Sequence, residues 1–418
     1  LQISELPPLD SKNFTTLAVP TKTGDEARDE AAVRLLSAQC DERLNVLGIG
    51  GKVKMVGTSI EVRGRNPVKA AEALSRFTGV GGASVVRLAA PSLAEASKAL
   101  TEAGEKLVYP GERYRLSVEV EEGLGLSASD VEYASLAKLI DILAARGSKL
   151  SDRRPDKTIR ALITRSATYV SYIHYPGMGG LPAGVNGKAV VLHSGGVGSY
   201  FAAIDTMKAG MELTLLYIYT RETPAAHMRR AVATATLLRE HHPTKEMEMV
   251  AVSFDAFQSL VNERVAKDLR SLALHRGMAS AASLLALERD AAWISSGLTP
   301  DAGIENMSAY SAEVAARGVT AVFPEASRTS RELWSSVADE RLKAKMPRLP
   351  WKLCPASQAS SGRSKEAALA RAWSTGALSE AVKESVSGAF QIDLGRGFID
   401  YFSCMDSFAL KLKPRGTP

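Results

Sequence analysis

Between Lys188 and Ser199 the chain reads Lys-Ala-Val-Val-Leu-His-Ser-Gly-Gly-Val-Gly-Ser. An apolar run, Ala189 to Leu192, leads directly into a Ser-Gly-Gly turn. The turn leads into Tyr200-Phe-Ala-Ala-Ile-Asp-Thr-Met-Lys, which has helical spacing. A buried strand, a glycine turn and a helix start in that order leave few folds open, because a strand that ends in a helix must return to its sheet by a crossover. The order is also that of an anion cradle. Gly195, Gly196 and Gly198 can take backbone angles closed to other residues. The free amides and positive dipole end of the following helix then favour a phosphate, and Ser194 and Ser199 add hydroxyl donors.

The chain beyond Ser199 keeps the same alternation. Strands are predicted at 189–192, 213–219, 248–253, 292–295 and 319–323. Helices are predicted at 200–209, 225–241, 256–287 (as one helix or a broken one) and 328–337. Such a βα repeat specifies a parallel sheet whose ligands sit beyond the carboxyl ends of its strands. Past residue 345 the pattern weakens to one helix over 365–385 and short strands near 390–394 and 408–412.

The N-terminal part is organised differently. A strand at 14–20, a helix from Asp25 to about Asn45, two alternating strands around Gly57-Thr58, a helix from Pro67 to about Phe77 and a strand at 84–88 give the β-α-β-β-α-β order of a ferredoxin-like module. The glycine clusters at 48–51 and 79–82 lack a strand before and a helix after, so they read as turns rather than nucleotide fingerprints. A second α/β block covers 91–175, with helices at 92–104 and 129–146, a strand at 114–120 and a hairpin over 158–173. The segment 176–187, dense in Gly and Pro, reads as a hinge.

Of the 418 residues, 45% are hydrophobic and 23% charged, enough for a sizeable core. The net charge of +6 and a pI near 9.1 fit a polyanionic partner such as RNA. Cys40, Cys354 and Cys404 are widely spaced, which argues against a disulfide scaffold or a cysteine zinc site and for a reducing cytoplasm. No basic stretch followed by an apolar one marks a secretory signal, and no run is long and apolar enough for a membrane span. The six histidines show no metal spacing, and no metal-ligating residues are assigned.

The stretch Pro176-Gly-Met-Gly-Gly-Leu-Pro-Ala-Gly-x-x-Gly-Lys188, followed by a strand and Ser194-Gly-Gly-x-x-Ser199, resembles the tRNA 4-thiouridine synthase (tRNA sulfurtransferase) family. Pro155-Asp-Lys-Thr-Ile-Arg and Ala167-x-Tyr-Val resemble that family's terminal THUMP hairpin. The resemblance implies an α/β protein: N-terminal ferredoxin-like and THUMP α+β modules, then a PP-loop (adenine nucleotide alpha-hydrolase-like) parallel-sheet domain. Its bounds would be 13–90, 91–175, a linker at 176–187 and 188–345, with a C-terminal extension at 346–418.

The resemblance further implies ATP and Mg²⁺ as cofactors, tRNA and a persulfide or sulfide donor as partners, no membrane, and homodimerisation as seen in the family. Carried over by position, the phosphate loop is Ser194, Gly195, Gly196, Val197, Gly198 and Ser199. Leu216 and Tyr217 stand where the backbone holds adenine, and Gly297 matches the glycine of a Thr-Gly-Glu motif. Cys354 is the candidate sulfur carrier. Arg153, Arg154, Lys157, Arg165 and Arg276 are candidate RNA contacts. Two carboxylates of the family pattern are replaced, by Gly198 and Leu298, and Asp301 stands three residues beyond the second. The lysine expected later is Ser330 or Arg331, and Glu119, Glu121 and Glu122 stand where the family is often basic. Two functions are implied as expectations: ATP-dependent tRNA uridine thiolation, or a catalytically impaired tRNA-binding protein with the same folds.

Overall fold

A computed structural model describes residues 14–243, 247–302, 304–337, 343, 362–392, 394 and 410–411. The chain divides into two compact units, the first running to Pro182 and the second comprising most residues from Ala183 onward.

Unit 1 contains β1 (Phe14–Pro20), α1 (Glu26–Val46), β2 (Lys52–Val56), β3 (Ser59–Arg63), α2 (Pro67–Ser75) and β4 (Val80–Ala89). These are followed by α3 (Leu93–Leu107), β5 (Arg113–Val120), α4 (Ala128–Ala144), β6 (Lys149–Leu150), β7 (Lys157–Ile163) and β8 (Thr168–Pro176). All eight strands form one sheet in the order β2-β3-β1-β4-β8-β7-β5-β6. Within it β4-β1-β3-β2 is the ferredoxin-like order. The second block joins through the antiparallel β4–β8 pair, and β5 runs parallel to β7. One core spans both blocks, from Leu36, Ile60 and Leu74 to Leu100, Leu139 and Ile159. Strand β4 begins four residues earlier than its apolar pattern suggests. Gly81 and Gly82 carry no side chain to betray the strand, yet Gly82 pairs with Val19 and Pro176.

The glycine-rich segment after β8 is bonded into this sheet. Gly177 donates to Gly81 O, Met178 to Ser75 O and Gly179 to Val80 O. A Cβ on Gly177 would lie 2.1 Å from Val80 O, so only glycine fits.

Unit 2 begins its regular structure with β9 (Lys188–Leu192), α5 (Val197–Lys208), β10 (Glu212–Tyr219), α6 (Ala225–His241) and β11 (Glu248–Ser253). Next come α7 (Asp255–Arg264), α8 (Arg270–Glu288), β12 (Trp293–Ser296), α9 (Ile304–Ala315), β13 (Thr320–Val322) and α10 (Ser330–Ser335). The last described elements are α11 (Gly362–Trp373), α12 (Ala377–Ser387), β14 (Phe390–Ile392) and β15 (Leu410–Lys411). The sheet order is β13-β12-β9-β10-β11-β14-β15. Strands β9 to β13 are mutually parallel, and β14 adds antiparallel to β11.

Three helices refine or depart from the sequence expectations. The helical stretch expected over 256–287, with a break left open, is two helices, α7 and α8, separated by a 3₁₀ turn at Lys267–Leu269. The helix expected over 365–385 breaks at Gly376, whose φ of +76° ends one helix and starts the next. Helix α9 carries no clear apolar stripe, because Asn306 and Glu313 are buried beside Tyr310 and Val314 and disguise the periodicity. Residues of α11 and α12, including Leu369, Trp373, Leu378 and Val382, belong to the same core as Val190, Leu216 and Ile294. This stretch is therefore built into the parallel-sheet unit.

Candidate functional site

The site builds up from β9. Val190 and Val191 are buried in the sheet, and β9 ends at Leu192, paired with Leu216 of β10 and Ser296 of β12. His193 continues the ladder through its amide, which donates to Leu216 O at 2.8 Å. Its ring is buried, with Nε2 3.1 Å from Ala231 O and 2.9 Å from Thr234 Oγ1. Burial holds its pKa down at about 4, so it is a neutral structural residue at the foot of the loop.

At Gly195 the chain turns with φ +73°. A Cβ there would sit 2.6 Å from the backbone of Ala231 on α6, so this glycine satisfies both a left-handed angle and a close approach. Gly196 is the N-cap of α5 and offers no side chain to cap it. The amides of Val197, Gly198 and Ser199 are the first of the helix and have no carbonyl one turn back. The two serine hydroxyls close the loop on itself. Ser199 Oγ donates to Gly196 O at 2.9 Å, Ser194 Oγ accepts from Gly196 N at 3.3 Å, and the two oxygens lie 3.4 Å apart. What remains for a ligand is the helix-start amides of Val197 and Gly198, since Ser199 N lies against Gly297.

The loop after β12 packs against this row. A Cβ on Gly198 would lie 2.5 Å from Gly297 O, and one on Gly297 would lie 2.4 Å from both Gly198 O and Ser199 N. The two backbones therefore meet face to face, and each position admits only glycine. The structure thus brings Gly297 to the loop. The direction a carboxylate at position 198 would take is filled by the Gly297 carbonyl. Asp301 faces elsewhere: its Oδ1 accepts from Ser330 N at 3.2 Å at the start of α10. Hydrogen bonds from Thr299 and Ser330 hold its carboxyl below the usual range against the opposing effect of burial.

The Mg²⁺ expected from the resemblance does not fit the donor set at this loop. From Ser194 to Ser199 there is no carboxylate. Among the described residues no group of three His, Cys, Asp or Glu could hold a metal ion. A row of helix-start amides does fit a phosphate chain.

Leu216 and Tyr217 are buried inside β10, between β9 and β11. Leu216 O is already the acceptor for His193, so its carbonyl is committed to the sheet. Cys354 and Cys404 lie outside the described residues. Cys40 is buried in unit 1, where burial pushes its thiol far up, so it is inert.

The candidate RNA contacts are spread over both units. Arg153 and Arg154 are exposed before β7, and Lys157 lies over the Tyr109 ring at 5.7 Å. Arg165 is exposed at the β7–β8 turn, 3.6 Å from Glu121, which also accepts from its backbone amide. Arg276 is engaged within unit 2. Its Nε donates to Glu313 at 2.9 Å and its guanidinium stacks 4.6 Å from the Trp373 ring.

Sequence reasoning did not single out Arg230. It lies on α6 at the edge of the buried stripe Met228, Ala231, Val232 and Ala235. Its Nε is buried and has no acceptor among the described residues. Burial lowers its pKa, and the group that offsets this is the Tyr217 phenol rather than a carboxylate. Tyr217 is 2% exposed, its hydroxyl also lacks a partner, and burial pushes its pKa up to about 12. The signal available in the sequence was a cation flanking an apolar helix stripe directly after the second strand.

A family model described as "Thiamine biosynthesis protein (ThiI)" matches residues 184–299. Three curated relatives, each described as "Probable tRNA sulfurtransferase", match parts of the chain. One from Anoxybacillus flavithermus is 24% identical over 41% of this chain, one from Bacillus pumilus 27% over 35%, and one from Methanosarcina mazei 30% over 36%. The matched segments span 42%, 36% and 38% of those proteins. Among solved structures, a 4-thiouridine synthetase–RNA complex with bound ATP is similar over 91% of this chain and 100% of its own, with TM-score 0.73 and 17% identity. PH1313 from Pyrococcus horikoshii is similar over 77% of this chain and 97% of its own, with TM-score 0.58 and 16% identity. The chain therefore has the fold of ferredoxin-like and THUMP modules followed by a PP-loop sheet, and it resembles the tRNA sulfurtransferase family, whose model its residues 184–299 match.

Proposed function

We propose that this chain binds ATP at Ser194–Ser199 and tRNA through its N-terminal modules, and that it carries out ATP-dependent tRNA uridine thiolation, making 4-thiouridine, or a close relative of that reaction. The observation that carries the reading is the uncapped start of α5 behind the Gly195 turn, which presents helix-start amides to an anion. ATP, where bound, supplies the adenylate that makes a uridine carbonyl oxygen a good leaving group for attack by a persulfide or sulfide sulfur. The chain's own part is to hold the phosphates: the amides of Val197 and Gly198 at the α5 start favour the charge that collects on departing pyrophosphate. We place the work in the cytoplasm, with N-terminal modules at 13–90 and 91–175 and a parallel-sheet unit from 188 that takes in α11, α12 and β14 beyond the expected bound of 345.

A second reading has its own observation. The Gly198–Gly297 backbone contact stands where the family pattern has a carboxylate, and it favours a tRNA-binding protein with impaired catalysis. Pyrophosphate release from ATP in the presence of unmodified tRNA and sulfide tests the first reading, which expects release that depends on both tRNA and ATP. No release, together with a tRNA gel shift at low salt, would leave the second. Neither release nor a shift would remove both.

A further inference from the structure

We propose that this chain holds the phosphate chain of its ligand without a divalent cation, using the Arg230 guanidinium and the Tyr217 hydroxyl beside the α5 amides to balance the negative charge. The proposal rests on the phosphate-loop reading of Ser194–Ser199. It starts from a disagreement between the expected metal and the residues present. A metal on a polyphosphate is normally steadied by a nearby carboxylate, and at position 198 the space for one is taken by the Gly297 carbonyl.

Something else must then meet the charge, and the surroundings of the loop hold two polar groups that the protein leaves unsatisfied. Arg230 Nε and Tyr217 Oη are both buried without a hydrogen-bond partner, and the two side chains lie within electrostatic reach of each other. Buried donors are ordinarily paired, so two neighbouring orphans mark a place where an acceptor belongs. Arg230 adjoins the loop through its main chain: a Cβ on Gly195 would lie 2.6 Å from the Ala231 backbone and 3.0 Å from the Arg230 carbonyl carbon. His193, the residue before Ser194, also feels the Arg230 charge. Two histidines also feel Arg230: His193 and His227 have pKa values lowered by burial first and by the Arg230 charge as well. Neither supplies an anion. A guanidinium presents a planar set of donors that suits phosphate oxygens, and a phenol adds one more.

The test is calorimetry of the full chain with inorganic pyrophosphate and with ATP, each in EDTA and in Mg²⁺. We expect binding in EDTA within about 3-fold of that in Mg²⁺. Arg230→Gln should weaken it about 10- to 100-fold in both buffers, the range for losing a charged hydrogen bond. Arg230→Lys should keep part of the affinity. Without ligand, Arg230→Met should melt higher than wild type, because it removes a half-buried charge that has no ion pair among the described residues. Binding that appears only with Mg²⁺ would overturn the proposal and leave the loop reading intact. Undiminished binding by Arg230→Gln, or a lower melting point for Arg230→Met, would also overturn it. Wild type that binds neither ligand in either buffer would remove the proposal and the loop reading together.

Discussion

The two units begin their helices in opposite ways. In unit 1, α1, α2, α3 and α4 each start behind a side chain that accepts a hydrogen bond from the first turn: Asp25, Asn66, Ser92 and Ser127. In unit 2, α5, α6, α7 and α8 start behind Gly196, Pro224, Phe254 and Leu269, and none has a side-chain cap. The Thr329–Glu332 capping box of α10 is the exception among the described helix starts of that unit that lie on the parallel sheet. A cap contributes about 1 kcal/mol by satisfying amides that the helix cannot. Leaving it out at α5 and α6 costs stability at the carboxyl edge of a parallel sheet, where ligands bind, while at α7 the first amide, Asp255 N, donates to Ser253 Oγ at 3.4 Å. Unit 1 caps its helix starts, and unit 2 leaves those of α5 and α6 open.

The contrast can be broken most severely at the loop. Gly297→Ala drives a methyl into the Gly198 and Ser199 backbone. We expect a loss of about 3 kcal/mol or more in urea unfolding of unit 2, with hydrogen exchange in unit 1 unchanged. A mild effect would mean that the two loops part easily and that position 198 could take a carboxylate after all.

A smaller effect is expected from pH. Glu325 has a fully buried side chain, and its pKa is raised to about 7, chiefly by burial and further by Asp205, against the opposing effect of Arg328. Its folded pKa lies above its unfolded value, so the folded state binds the extra proton and stability falls as pH rises from about 4.5 to 7. Glu325→Gln should therefore gain about 1–3 kcal/mol over wild type at pH 8 and little at pH 4. An equal gain at both pH values would assign the effect to packing instead. Ser127→Ala, which uncaps α4, should lose about 1 kcal/mol in unit 1 and leave nucleotide affinity unchanged. A change in affinity would show that caps in unit 1 serve more than stability.

How much of this could be read from the chain differs along it. The ferredoxin-like order and the strands of the parallel sheet were legible, because half-buried strands alternate and buried ones run continuously apolar. Helix α9 was not, since Asn306 and Glu313 are buried polar residues that interrupt its apolar spacing, Glu313 being held by Arg276 and Arg317. The Ser194–Ser199 loop announced itself through glycine spacing. Its contact with Gly297 could not be read, because the approach of two backbones about a hundred residues apart leaves only two glycines in the sequence. Arg230 stayed hidden for a related reason. A cation on a helix looks solvated until the fold shows that its Nε is covered and has no acceptor.

The open start of α5 carries the functional reading, and Gly196→Asp tests it most directly. At φ −82° and ψ 165° Gly196 has extended backbone that aspartate accepts, and its Cβ would meet only Ser194 Oγ, at 3.4 Å. The substitution should cap α5, raising stability by about 0.5–1 kcal/mol, while its carboxylate occupies the amides that ATP needs. Calorimetry should then show at least about a tenfold loss of ATP affinity in a protein that melts no lower than wild type. Equal affinity in the two proteins would place the nucleotide elsewhere and contradict the reading.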